Sequence, residues 1–270
     1  MRKKRIVVKV GTSTLTHSSG SLDLRSMEHL VRVLADLSGA GHEVILVTSG
    51  AIAVGTARLG LAERPKELRM KQAAAAVGQC RMMHLYDKLF AEYNRSMAQI
   101  LLTGDDVDDP ERAEHLRSTF SALLELGVIP VVNENDSVSS AEIETGRHKI
   151  LGDNDTLSAI VASLCQANLL VLLSDIDGLY NKDPRTNPDA ALLHDVDALT
   201  PEILEMAGGA GTWRGTGGMA TKLSAAKIAT ESGCEMVITN GSHPENLYGI
   251  LNGEDIGTRF HTQKSGGTEA

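Results

Sequence analysis

Aromatic residues are scarce in this 270-residue sequence, at 3%. Without aromatic faces for bases to stack on, a single-stranded nucleic-acid platform is not expected. A positive surplus is missing too: 35 acidic residues against 26 basic ones give a formal charge of -9. A phosphate backbone requires a basic face, so any nucleotide binding must be local. No apolar run approaches the ~20 residues of a membrane span. The basic start, Met1 to Arg5, imitates a secretion signal, but Lys9 interrupts the apolar run behind it. Cysteine is sparse, and Cys80, Cys165 and Cys234 form no CxxC pair. All three are expected as buried small apolar residues in a reducing compartment. These absences predict a cytoplasmic protein with neither membrane nor nucleic acid as partner. What is present, 42% apolar and 23% charged residues, is ordinary globular composition with enough chain for a full core.

The organising stretch is Ile6 to Val10 with the turn Gly11-Thr12-Ser13-Thr14. It is a β-branched strand carrying one lysine, and an unpaired buried ammonium is costly. Lys9 should therefore point at an anion, although a strand-end lysine reaching water is the competing reading. Helical spacing follows Asp23, with Gly39 and Gly41 ending that helix. Glu43 to Thr48 is a second strand, Ala98 to Leu102 a third, Val128 to Val132 a fourth and Leu169 to Leu173 a fifth. Pro65 to Tyr93 is mostly helix, Asp109-Pro110 opens another, and a further helix follows Gly152 to Asp155. After Met219 a helix runs to Gly233, Glu235 to Thr239 is the last strand expected, and a short helix spans Pro244 to Leu251. Strands alternating with helices predict an α/β fold, an open and mainly parallel sheet sandwiched between helices.

Polar clusters stand where such strands end. Ser49 follows the second strand, where α/β proteins place ligands, though a plain turn serine is equally consistent. Asn133-Glu134-Asn135-Asp136 follows the fourth strand and is too polar to be packing. Asp153, Asn154 and Asp155 open a helix, where carboxylates can also be simple caps. Ser174 and Asp175 end the fifth strand. Thr216 to Lys222 joins glycines, hydroxyls and a lysine at the mouth of a helix, a phosphate site in composition. Gly215, Gly217 and Ala220 imitate a dinucleotide fingerprint, with Glu235 at ribose spacing. That fingerprint needs a strand before it, and Pro201 to Met206 predicts a helix. Lys9 and Lys222 instead suggest one site for a transferring phosphoryl group.

These segments, with Arg64-Pro65-Lys66, Gln72 to Gln79 and Asp183-Pro-Arg185, resemble the amino-acid kinase superfamily and, within it, the glutamate 5-kinase family. The resemblance covers residues 5 to about 260 in family order. It implies ATP-dependent phosphorylation of the side-chain carboxylate of L-glutamate to L-glutamyl 5-phosphate, opening proline biosynthesis. It implies one kinase domain over 1–262, with a glutamate-binding lobe to about 168, an ATP-binding lobe from about 169, and a tail over 263–270. A carboxyl-terminal PUA domain, common in the family, is not expected here. Ser49, Asn133, Asp136, Asp153 and Asn154 are implied to hold glutamate. Lys9, Ser174, Asp175, Thr216, Gly217, Gly218, Met219, Ala220, Thr221 and Lys222 are implied to hold ATP. Lys9, Lys222 and Asp155 are implied to be catalytic, with Asp155 placing the lysines. Mg²⁺ is implied to arrive on ATP with no direct protein ligand. L-proline is implied as feedback inhibitor, and a homo-oligomer, dimer or tetramer, as the assembly.

The chemistry agrees with those roles. Carboxyl phosphorylation starts from an anionic nucleophile, so no general base is needed; two anions must be aligned and their charge offset. Lysines and Mg²⁺ do that. Glu142 to Lys149 is longer than the family pattern and lies beside the expected glutamate pocket, where it bears on affinity and feedback. Two other readings stay open at this level. One is a kinase of another small acid (acetylglutamate, carbamate or isopentenyl phosphate type). The other is a non-catalytic amino-acid sensor on the same fold.

Overall fold

The structure, a computed structural model, describes residues 3–138, 153–206 and 218–262. The first apolar run is β1 (Arg5–Val10), which turns at Gly11 into a single helical turn, α1 (Thr12–Leu15). Asp23 accepts from Ser26 N and caps α2 (Leu24–Gly39), as the sequence predicts. β2 (Glu43–Val47) leads into α3 (Ala51–Arg58), which sequence reading does not anticipate. α4 (Leu68–Glu92), β3 (Met97–Leu102), the short α5 (Gly104–Asp108) and α6 (Pro110–Glu125) follow. β4 (Ile129–Glu134) reaches two residues further than expected, into the polar cluster. Then come α7 (Asn154–Leu164), β5 (Leu169–Ser174), and a small antiparallel pair, β6 (Leu179–Tyr180) with β7 (Leu192–Leu193). The chain continues through β8 (Asp195–Val196), α8 (Pro201–Met206), α9 (Met219–Glu231), β9 (Glu235–Asn240), α10 (Asn246–Asn252) and β10 (Thr258–Phe260).

The main sheet has eight strands in the order β3-β4-β2-β1-β5-β9-β10-β8. Its pairs are parallel except β10, which runs antiparallel to β9. The expectation that β9 ends the sheet is therefore corrected. β10 is three residues long, too short to carry an alternation of its own, and exists because β9 offers it an edge.

The pleat decides which side chain meets which helix layer. Ile6, Val8 and Val10 face the core under α2, α3, α4 and α10, while Val7 faces the core under α6, α7 and α9. Lys9 shares the face of Val7, so it points toward α7 and α9. Val132 shares that second face as well, and Asn133 consequently turns to the other side, toward α4.

α3 and α4 touch through glycine. A Cβ at Gly55 would lie 1.7 Å from Ala74 O, and one at Gly78 would lie 1.8 Å from Ala51 O. Only glycine allows that approach. Of the three cysteines, Cys165 and Cys234 are buried, and burial pushes each thiol up to about 12. Cys80 is exposed on α4, which corrects the expectation that all three are core residues. Among the described residues no helix is long and apolar enough to cross a membrane.

Candidate active site

A buried carboxylate joins the two ends of the chain. Lys9 Nζ, at the carboxyl end of β1, lies 2.6 Å from Asp155 Oδ1, and Lys222 Nζ, in the first turn of α9, lies 3.1 Å from Asp155 Oδ2. Asp155 is 2% exposed and Lys222 8%. Burial alone would raise the Asp155 carboxyl, but the lysine charges and hydrogen bonds overcome it and hold the group below its usual range. Thr221 Oγ1, also on α9, lies 3.1 Å from the same Oδ2. Lys9 therefore does not snorkel to water; its β1 face delivers it to α7.

The neighbouring acid has a different task. Asp153 is the N-cap of α7: its Oδ1 accepts from Asp155 N at 2.7 Å and Thr156 N at 2.9 Å. The open question of which acid caps the helix thus resolves to Asp153. Its carboxylate is largely spent on the backbone, although the residue still lines the cleft. Asp155, two residues further on, is free to serve the lysines.

Asn154 is held rather than loose. Its Nδ2 donates to Thr48 O at 2.9 Å and to Asn133 Oδ1 at 3.3 Å, leaving its own Oδ1 as an acceptor. Asn133 Nδ2 in turn donates to Gln79 Oε1 at 2.9 Å. Asn133 is 2% exposed and does not line the cleft, so it acts behind Asn154. Gln79 is a site-supporting residue that sequence reading left without a role. A glutamine on the buried face of α4 is the signal that points to it.

Lys9, Asp153, Asn154, Asp155 and Lys222 line a cleft of about 500 Å³ at the carboxyl ends of the parallel strands, the usual ligand position of an open α/β sheet. One wall is the β1 turn with Ser49, whose Oγ donates to Val10 O at 3.1 Å and accepts from Thr12 Oγ1 at 3.2 Å. Gly50 takes φ +100 there and opens α3 without a side-chain cap. Asp136 and Arg64 also line the cleft. Burial and the nearby Glu134 charge push the Asp136 carboxyl up to about 6, with Arg64 acting against them. Arg64 was matched in sequence only as part of a motif; its place beside Asp136 comes from the connection between α3 and α4.

Ser174 and Asp175 line the cleft on the β5 side. Ser174 Oγ donates to Asp175 Oδ1 at 3.2 Å, and Arg185 Nη2 lies 3.1 Å from Asp175 Oδ2. Gly218 is the N-cap of α9, with no side-chain cap, and Met219, Ala220 and Thr221 form its first turn with Lys222. Thr216, Gly217 and the Glu142 to Lys149 segment lie outside the described residues. Among the described residues no three acidic, histidine or cysteine side chains converge to hold a metal ion. The arrangement can receive an anion at the lysine pair and a zwitterion at the Arg64–Asp136 wall.

Residues 4–240 match the model of the amino acid kinase family. A curated glutamate 5-kinase of Clostridium perfringens (strain 13 / Type A) is 55% identical over 97% of this chain and 96% of its own length. Another, from Clostridium tetani (strain Massachusetts / E88), is 53% identical over the same shares. Among solved structures, a carbamate kinase from Giardia lamblia bound to AMP-PNP superposes with a TM-score of 0.69 at 14% identity, covering 96% of this chain and 99% of that one. At that identity the likeness concerns the fold.

Proposed function

The chain belongs to the amino acid kinase family and, within it, to the glutamate 5-kinases, and we propose that its cleft performs the transfer as follows. The reaction moves the γ-phosphoryl of ATP to the side-chain carboxylate of L-glutamate in the first step of proline biosynthesis. The observation that carries the assignment is Asp155 holding Lys9 and Lys222 on its two oxygens. Two cations fixed at one point can offset the repulsion between carboxylate and phosphoryl group, and fixed charges need no reorganisation when the bond forms. The attacking oxygen is already ionised, so positioning and charge are what the protein must supply.

Glutamate enters on the β1–β4 side of the sheet, residues up to about 168. Asp136 and the Asn154 Oδ1 receive its ammonium, Arg64 its α-carboxylate, and Ser49 lines the same cleft. Asn133 and Gln79 hold Asn154 in place, and Asp153 holds the first turn of α7. ATP enters on the β5–β9 side, from about 169 to 262, against Ser174, Asp175, Gly218 and the first turn of α9. Mg²⁺ fits as a passenger on the phosphates, since both Asp155 oxygens are occupied and Asp153 is a cap; bound there, it supplies further charge neutralisation. Cytoplasmic location is part of this reading, since ATP and glutamate are both abundant there. Free L-proline, carrying an α-carboxylate and a cationic nitrogen, fits the Arg64–Asp136 wall as an inhibitor.

An ADP-release assay across glutamate, aspartate, N-acetylglutamate and carbamate tests the assignment. Glutamate should be turned over well above the other three. A preference for N-acetylglutamate, which has no ammonium for Asp136, would refute it.

A further inference from the structure

Away from the cleft, a second hollow of about 570 Å³ lies between α2, the end of α4 and the start of α10. It shares no lining residue with the cleft. Its acids are all engaged. Asp36 accepts from the Tyr248 hydroxyl, and Glu245 lies 3.2 Å from both His29 and His243. Glu28, at its margin, accepts from the Tyr93 hydroxyl and stands 3.9 Å from Arg32.

Arg95 is different. Its side chain has no hydrogen bond or ion pair among the described residues, and its Nε is buried without a partner. Its Nη2 rests against the backbone of Gly39, so closely that a Cβ there would lie 2.8 Å away. A guanidinium brings five donors and no acceptor, and leaving the buried Nε–H unmet is costly. The partner such a fork matches is a carboxylate or phosphate taking two parallel N–H bonds. Arg32 adds a second cation whose nearest acid is at long range. With the carboxylates already accepting hydrogen bonds, the unmet hydrogen-bonding capacity of the hollow is the donor capacity of Arg95.

We propose that this hollow is a second ligand site, in which Arg95, with Arg32 beside it, takes the oxyanion of a small carboxylate or phosphate compound. The volume suits an organic molecule rather than a bare ion. The chain's charge of -9 gathers no anions by long-range attraction, so affinity rests on the two guanidinium groups.

Calorimetric titration of the full chain with inorganic phosphate and with succinate tests this. The cleft also attracts oxyanions, so each titration is repeated in Lys222→Ala. Binding at the second site should survive that change and weaken about tenfold or more in Arg95→Met, as expected for a lost charged hydrogen-bond pair. Gly39→Ala is the control against misfolding: alanine suits a helix better than glycine, yet its Cβ overlaps the guanidinium. It should weaken binding while leaving the melting temperature unchanged or higher. Phosphate binding alone identifies a phosphate ester as the class, and succinate binding alone a carboxylate. Absence of both, or affinities unchanged in Arg95→Met and Gly39→Ala, overturns the proposal.

Discussion

Lys222 follows Asp155 by 67 residues and places its ammonium 3.1 Å from the Asp155 carboxylate. Lys9 reaches the other oxygen of that carboxylate from the first strand. Truncating either lysine removes a charge that acts on the transferring group. Lys222→Ala and Lys9→Ala should each lower kcat by roughly 10²–10³, by analogy with an oxyanion donor. The KM for glutamate should move far less. Steady-state kinetics decide it: near-normal kcat with only a raised KM would strip both lysines of their catalytic role.

Asp155→Asn separates charge from shape. The amide keeps the size of the side chain, but it leaves two largely buried ammonium groups without a counter-charge. Breaking a buried pair in this way costs up to about 3–5 kcal/mol. The variant should melt early, turn over slowly, and regain more stability from added ATP than the parent does. Since Asp153 is the cap, loss of α7 is not the cause; an unchanged circular dichroism spectrum at low temperature checks that.

Asp136 predicts a pH dependence. Its carboxyl, raised to about 6, is ionised above that pH and neutral below it. The KM for glutamate should therefore rise as pH falls through about 6, and Asp136→Asn should flatten the profile at a uniformly high KM. Stability runs in the opposite sense. A carboxyl raised on folding is most stabilising below its unfolded value and loses that contribution as pH rises through the folded one. Asp136→Asn should thus melt higher than the parent at pH 7.5 and no higher at pH 4. A glutamate KM that ignores pH in the parent enzyme would contradict the assignment.

Arg64→Ala should raise the KM for glutamate about 10–100-fold, the worth of one charged hydrogen-bonding contact. 4-Aminobutyrate lacks the α-carboxylate, so its slow turnover should not respond to this change. Proline should compete with glutamate and not with ATP, and Arg64→Ala should weaken it in parallel with glutamate. Inhibition that persists at saturating glutamate would refute a shared pocket.

The sequence was most legible where local chemistry and tertiary structure agree. β1, β2, β5 and β9 are apolar enough to announce themselves, and Asp23 and Asp109 mark their helices by caps that the structure retains. α3 was not legible because its eight residues include Gly55 and present little amphipathic pattern. Contact with α4 through two glycines stabilises it, and that contact is visible only in three dimensions. Asn133 read as a loop residue because polar side chains crowd the end of β4, yet it lies inside the strand with Gln79 as its partner. Spacing alone could not separate the tasks of Asp153 and Asp155, which depend on which carboxylate turns back to the helix amides. Arg64 was matched only as part of a motif and given no role, since a connection of irregular backbone brings it to Asp136.

β1 has one neighbour close in sequence, β2, and one remote, β5; Arg5 N bonds to Asn168 Oδ1 across 163 residues. On the ribosome, at ~5–20 residues per second, that interval lasts roughly 10–30 seconds. Throughout it β1, paired with β2 on one side, exposes an open edge on the other. Half of the sheet can form early, but it must wait for its second half before its central strand is enclosed. Newly made copies therefore pass through a window in which unpaired edges invite self-association, and slower translation between β4 and β5 lengthens it.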